Sequence, residues 1–305
     1  MTEPATTHLE GLIRRIGVVY RAETAETVSI IDRLFQWAAE RDISIVVEQA
    51  DADSDASGQG ALDLAKNPVD LVVALGGDGT LLRAAQLVAG SDTPVLGVNL
   101  GRLGFLTALP ASYLEGGLDQ VVEGKALLDH RFRLRATIEV KGEAQDDKFF
   151  ALNDIVIHTS GAARVTPLTL EVGRQGSRLE VGSFSADGVI LATPTGSTAY
   201  SMSAGGPIVV PDVECIVVTP ICPHSLAVRP LVVPADDEIC IGSLDPNSDH
   251  QVTVDGQVVH RLAPNESVLV SRGERPLALV RLPGQTFFET MRRKLNWAVR
   301  PPERA

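Results

Sequence analysis

A single carboxylate set among glycines, in the string ALGGDGTLLRAA at residues 74–85, is the feature of this sequence best suited to chemistry. Asp78 is flanked by Gly76, Gly77 and Gly79 and followed by Thr80, and Arg83 lies a helical turn further on. Glycines at a strand-to-helix turn let backbone N–H groups approach an anion closely, and the helix dipole favours negative charge there. An acid in that turn repels bound phosphate unless it has a counter-charge or a proton to collect. General-base catalysis supplies such a role. A carboxylate that takes a hydroxyl proton during attack on phosphorus contributes about 10²–10⁴-fold, with positioning and charge neutralisation supplying the rest. Thr80 and Arg83, three apart, share a helix face and can aim at one anion. The competing reading, commoner for a bare GDG, is a tight turn with Asp78 as helix N-cap.

Two more polar groupings stand out. Asn153 and Asp154 interrupt the apolar FFALNDIVIH, and a buried strand rarely carries such a pair without a partner; a bulge or edge position is the alternative. ATPTGSTAYSMSAGG has no charge but many hydroxyls: Thr193, Thr195, Ser197, Thr198, Ser201 and Ser203. Neutral donors and small side chains suit a flat heterocycle and its ribose, with Tyr200 available to stack. Local Ser/Thr turns are the competing use. His224, in CPHS, is read as structural rather than as a base.

Several motifs fail. DADSDASGQG imitates a calcium loop, but Ala56 and Leu62 stand where Gly and Glu are needed. There is no GxxxxGK[ST], no complete GxGxxG, no GxSxG and no HExxH.

The elements that must hold these residues change character near residue 130. Before it, RRIGVVY, ISIVVE, VDLVVALGG and TPVLGVNL read as continuous apolar strands alternating with helices. The first helix carries Val28, Ile31, Leu34, Phe35 and Ala38 at helical spacing. That alternation predicts a Rossmann-like parallel sheet covered on both faces, with a ligand site beyond the carboxyl ends of its strands. After it, HRFRLRATIEV sets Arg131, Arg133 and Arg135 against Phe132, Leu134, Ala136, Ile138 and Val140, which predicts a half-buried strand with a wet basic face. KFFALNDIVIHT, PLTLEVG, RLEVGSF, ECIVVTP, DEICIGS, QVTVDGQVVH, ESVLVS and PLALVRL continue as strands, with an Asp-Gly hairpin turn in VDGQ. The expected fold is an α/β domain over 1–128 plus 283–305 and an all-β layered domain over 129–282. A C-terminal helix striped by Phe287, Met291 and Leu295 returns to the first domain.

Composition sets the limits. The 305 residues are 44% hydrophobic and carry a net charge of −12, which argues against nucleic acid or anionic membrane as main partner. Three cysteines without CxxC spacing argue against a disulfide framework or zinc site. No apolar run approaches the roughly 18 residues needed to span a bilayer, so a soluble cytoplasmic protein is expected.

GGDGT after an apolar strand resembles the NAD kinase family, and further segments agree. GVNLGRLGFLT at 97–107 resembles its second glycine loop, ALND its NE/D pair, and DGVILATPTGSTAYSMSAGGPI at 187–208 its longest signature; PICPHSL and VDGQ follow in order. The resemblance covers roughly residues 70–290. GGDGT alone is shared with lipid and phosphofructokinase-like kinases, whereas TPTGSTAYSMSAGG is specific. It implies phosphorylation of the adenosine-ribose 2′-hydroxyl of NAD by ATP, or by polyphosphate, with a divalent cation such as Mg²⁺. Asp78 would be the base, and Gly76, Gly77, Gly79 and Thr80 would cradle donor phosphates. NAD would meet Asp78, Gly79, Arg83, Asn153, Asp154, Arg164, Ser185, Asp187, Thr198, Ala199, Tyr200, Ser201, Met202, Ser203 and Gln257. The resemblance also implies a homodimer or homotetramer. A GGDGT-type lipid kinase, a non-catalytic dinucleotide sensor and, more weakly, an NAD-dependent dehydrogenase are the rivals.

Overall fold

The computed structural model describes residues 7–9, 11–20, 24–49, 64, 66–101, 104–159, 166–174, 176–245 and 249–297. The acidic string at 51–60 and Arg164 lie outside them. Two units divide the chain, residues 1–130 with 277–305, and residues 131–276.

In the first unit, four apolar strands pair in parallel: Arg15–Tyr20, Ser44–Gln49, Leu71–Gly76 and Val95–Asn99. Arg15–Tyr20, Leu71–Gly76 and Val95–Asn99 are buried on both faces, which is why they read as continuous Val/Ile/Leu runs rather than alternating ones, whereas Ile45, Val46 and Val47 on the edge strand are half-buried. From Arg15–Tyr20 the chain first pairs outward to Ser44–Gln49, then returns on the other side with Leu71–Gly76. The reversal point, where such sheets open a crevice for ligands, is flanked by the strand that delivers GGDG. The strand Leu277–Arg281, read from sequence as part of the β half, instead joins Val95–Asn99 in parallel. An apolar strand pattern carries no address; only the pairing assigns it to a sheet.

The helix Ala25–Ala39 forms as expected, with Thr24 capping it by accepting the Thr27 N–H. Its buried face is Thr27, Ile30, Leu34, Trp37 and Ala38, while Val28 and Phe35 are exposed. The expected stripe was therefore rotated toward the flank. Trp37 settles the orientation, since its indole N–H reaches Asp119 at 2.8 Å. The closing helix, Phe287–Leu295, belongs to this unit. Phe287, Met291 and Leu295 are half-buried, and Lys294 Nζ lies 5.0 Å from the centre of the Phe105 ring. Gln285 donates to the Ala108 carbonyl.

The second unit is two six-stranded antiparallel sheets. One runs, in spatial order, Leu231–Pro234, Cys215–Ile221, Gly188–Ala192, Asp154–Thr159, His250–Val254, Gln257–Leu262. The other runs Ser177–Ala186, Thr166–Arg174, Glu238–Ser243, Glu266–Arg272, Leu134–Val140, Glu143–Ala151. Leu134, Ala136 and Ile138 of one sheet share a core with Ile155, Ile157, Val189 and Leu191 of the other, so alternate residues of both sheets face inward. Glu139 and Arg178 stand four strands apart in sheet order yet meet at 2.9 Å. With strands spaced about 4.8 Å apart, that contact requires the sheet to curl.

The wet basic face does not form over its length. Arg131 and Arg133 are buried, with Arg131 donating to Thr195 Oγ1 and Arg133 Nε to the Arg275 carbonyl, while Arg135 is half-buried and pairs with the exposed Glu274 at 2.9 Å. The strand proper starts at Leu134, and the Arg133 guanidinium sits 5.8 Å from the Phe150 ring centre. Arginine stems can line an apolar interior once the head finds partners, and residue type alone does not reveal that partner. KFFALNDIVIHT is two strands rather than one, broken at Leu152 and Asn153.

Candidate active site

In the first unit the glycine turn follows from local chemistry. The strand Leu71–Gly76 is buried up to Leu75 and ends half-buried at Gly76, Gly77 adopts an extended φ of −103°, and the helix Asp78–Leu87 begins at once, packing Thr80, Leu81, Ala84 and Ala85 inward. Gly77, not Asp78, is the N-cap, and it has no side chain to close the helix end. Gly77 and Gly79 are exposed. Among the described residues no backbone acceptor takes the N–H groups of Asp78 and Gly79. A helix start with open donors is an anion site in waiting.

Asp78 at the first helical position turns toward the second glycine loop. Its Oδ2 accepts the Phe105 N–H at 2.9 Å and its Oδ1 the Leu106 N–H at 3.1 Å. Gly104 lies so close that a Cβ there would occupy the space of the Asp78 carboxylate. The N-cap reading of Asp78 therefore falls, since the acid grips another segment rather than its own helix. Asn99, at the end of the strand Val95–Asn99, shapes the same loop by accepting the Gly101 N–H at 2.9 Å. Arg83 does not share an aim with Thr80. Its guanidinium pairs at 3.2 Å with Glu48, whose side chain is almost fully buried. Burial pushes the Glu48 carboxyl up, and the Arg83 charge works against that rise.

In the second unit the bend at Leu152–Asn153 places the polar pair. Asn153 is half-buried, and its side-chain amide has no partner among the described residues. Asp154 is buried and pushed up to about 7, first by burial and then by the charge of Asp255. Asp255 comes from the VDGQ hairpin and accepts the N–H groups of Leu152, Asn153 and Asp154. Sequence reasoning took that residue for a turn former only. Its signal, an acid where Asn would serve the turn equally, is weak until the fold brings 152–154 beside it.

The hydroxyl-rich segment grips the same bend. Thr193 Oγ1 donates to the Leu152 carbonyl at 2.6 Å and accepts the Gly196 N–H at 2.9 Å. Gly196 packs on the Asn153 backbone with no room for a Cβ. Ser197 bonds Pro194 and Val209, Thr198 Oγ1 donates to the Thr195 carbonyl, and Ser201 Oγ meets Thr219 Oγ1 at 2.8 Å. Thr198 and Ser201 are thus buried and engaged internally. Ala199, Tyr200, Met202 and Ser203 reach the surface wholly or in part. Ser185 and Gln257 are exposed, and Asp187 is half-buried at the start of Gly188–Ala192. His224 is exposed, and its backbone N–H donates to the Ser185 carbonyl.

A parallel sheet with an acid-bearing glycine turn at its strand ends, joined to a two-sheet β unit with a polar bend, defines a nucleotide-handling α/β-plus-β class. Residues 16–126 match the family description "ATP-NAD kinase N-terminal domain" and residues 152–282 "ATP-NAD kinase C-terminal domain". The chain belongs to the NAD kinase family. It is 41% identical over 283 residues to the NAD kinase of Gemmatimonas aurantiaca, covering 93% of this chain and 96% of that one. It is 46% identical over 228 residues to that of Symbiobacterium thermophilum, covering 75% and 79%. Among solved structures it resembles yeast NADH kinase complexed with NADH, at TM-score 0.81 and 25% identity over 97% of this chain and 91% of that one. An NAD kinase from Archaeoglobus fulgidus in complex with ATP gives TM-score 0.72 and 25% identity, over 92% and 98%.

Proposed function

We propose that the chain transfers the γ-phosphoryl group of ATP to the 2′-hydroxyl of the adenosine ribose of NAD, giving NADP and ADP. The observation that carries the mechanism is the Asp78 carboxylate, held at an open helix start by two backbone N–H groups of the second glycine loop. Each of its oxygens keeps a second lone pair for a hydroxyl proton. As the proton passes to Asp78, the ribose oxygen bonds to the γ-phosphorus and the bond from that phosphorus to the bridging oxygen of ADP breaks. Within the Gly76–Thr80 turn the open N–H groups of Asp78 and Gly79 would receive the donor phosphates, while the Thr80 N–H is taken by the Gly77 carbonyl and Thr80 Oγ1 lies close to Gly76.

Asn153 and Asp154 would bind the hydroxyls of the dinucleotide. Ala199, Tyr200, Met202 and Ser203 would form its apolar and stacking surface, with Ser185, Asp187 and Gln257 as further contacts; Arg164, outside the described residues, is assigned to the dinucleotide by the family resemblance alone. Thr198 and Ser201 would shape that surface from beneath rather than through their donors. Arg83 would serve through Glu48, not as a free phosphate ligand.

Magnesium fits this site as an ion arriving with ATP. Among the described residues no three His, Cys, Asp or Glu side chains stand together, and Mg²⁺ needs only one or two carboxylates beside substrate phosphates. Bound there, it would neutralise charge on the transferring group. A homodimer or homotetramer in the cytoplasm completes the reading. No helix among the described residues is long and apolar enough to cross a membrane.

Purified protein with NAD, Mg²⁺ and either ATP or polyphosphate is expected to yield NADP, detected by an NADP-specific dehydrogenase. Asp78→Asn is expected to lose about 10²–10⁴-fold in turnover while still binding NAD by calorimetry. A dinucleotide sensor would form no NADP, and a lipid kinase would phosphorylate diacylglycerol instead; either result removes the proposal.

A further inference from the structure

The turn between the strands His250–Val254 and Gln257–Leu262 does more than join them. Asp255 has φ 48° and Gly256 φ 82°, so both central residues are left-handed, as a two-residue type I′ hairpin requires. Asn-Gly serves that backbone as well as Asp-Gly does. The hairpin itself therefore gives no reason for a carboxylate.

The reason lies beside the turn. Asp255 Oδ2 accepts the Leu152 N–H at 2.9 Å, and Oδ1 accepts the N–H groups of Asn153 at 2.8 Å and Asp154 at 3.2 Å. Three consecutive donors converge on one side chain. A carboxylate offers two acceptor oxygens, whereas an amide offers one, and its NH₂ would confront a backbone N–H. Bonds to a charged acceptor are also the stronger kind. A return bond from the Asp255 N–H to the Asp154 carbonyl, 3.0 Å, closes the ring.

We infer that Asp255 is a positioning residue for the dinucleotide, fixing the bend that aims Asn153 and Asp154 at the ligand. The inference rests on the NAD kinase reading and on the assignment of that pair to NAD. A second signature follows from charge, because Asp255 helps to hold Asp154 protonated toward neutral pH. The other strands against Asp154 bring no charge at its level. Ala192 faces it across one strand, and Val254 pairs with its neighbour Ile155. Asp187, His158 and His250 lie at the far ends of their strands.

Asp255→Asn keeps the preferred turn chemistry, and Asp255→Gly keeps the turn while removing every acceptor. Both are expected to fold, to raise KM for NAD about tenfold or more, and to leave KM for ATP unchanged. In both, the inflection that Asp154 gives the pH profile of KM for NAD moves to lower pH. An unchanged KM for NAD, an equal rise in both KM values, or loss of folding in both variants would overturn the inference. If wild-type protein makes no NADP, the activity reading fails instead, and the variants are not at fault.

Discussion

At Asp154 burial and a neighbouring charge act in the same direction on one carboxyl group. Its folded value is about 7 against an ordinary 3.8. Between these values the folded chain holds a proton that the unfolded chain has released, so stability falls as pH rises through the window. The contribution is complete below about pH 4 and lost above about pH 7. Urea unfolding of wild type at stepped pH is expected to show this decline, and Asp154→Asn is expected to flatten it by on the order of a few kcal/mol. Parallel curves for the two proteins would show that Asp154 ionises as freely folded as unfolded. Asp78 is a different case, because its place is fixed by geometry, with two N–H donors from one loop and a glycine at 104 that leaves room for it.

The elements matter here mainly as holders of loops. The second glycine loop is tied to the helix Asp78–Leu87 through the acid, to Thr107 through the Gly104 N–H, and to the closing helix through Lys294 over Phe105. Gly104→Ala puts a methyl group where the carboxylate lies, so either the acid or the loop must move. A shift of about 1 Å at a reacting group can cost on the order of 10²-fold. The variant is expected to lose about 10–100-fold in kcat with its melting temperature within a few degrees of wild type, measured by steady-state kinetics and calorimetry. Unaltered kcat would show that the close approach of Gly104 to Asp78 has no bearing on turnover. In the second unit the corresponding holder is the hairpin around Asp255, with Thr193 closing the other side of the bend.

For the molecule as a whole, the division of labour lies between two units with separate cores. Among the described residues no cluster of three His, Cys, Asp or Glu side chains calls for a structural metal. If, as proposed, the ion travels with the phosphates, EDTA is expected to stop turnover and leave the melting temperature unchanged. A drop in melting temperature on chelation would point to a structural ion and overturn that assignment. The net charge of −12 fits small anionic ligands held by local N–H donors better than attraction to an anionic surface, since backbone donors act at contact distance while net charge acts at long range.

Much of this was legible in the sequence, for physical reasons that can be named. Strands buried on both faces must be continuously apolar, so the parallel sheet announced itself between Arg15 and Asn99. Glycines around one acid, and an Asn-Asp pair inside an apolar run, marked two places where polarity had no structural excuse. A hairpin turn at Asp255-Gly256 followed from two residues that tolerate positive φ. Tertiary structure alone decided who met whom. It buried Arg131 and Arg133 by giving their heads partners, turned Arg83 away toward Glu48, sent Leu277–Arg281 back to the first sheet, and set Asp255 against residues a hundred positions earlier. Periodicity and composition describe what a segment can tolerate on each side; the partner that satisfies a buried charge or an open N–H comes from elsewhere in the chain, and only folding brings it there.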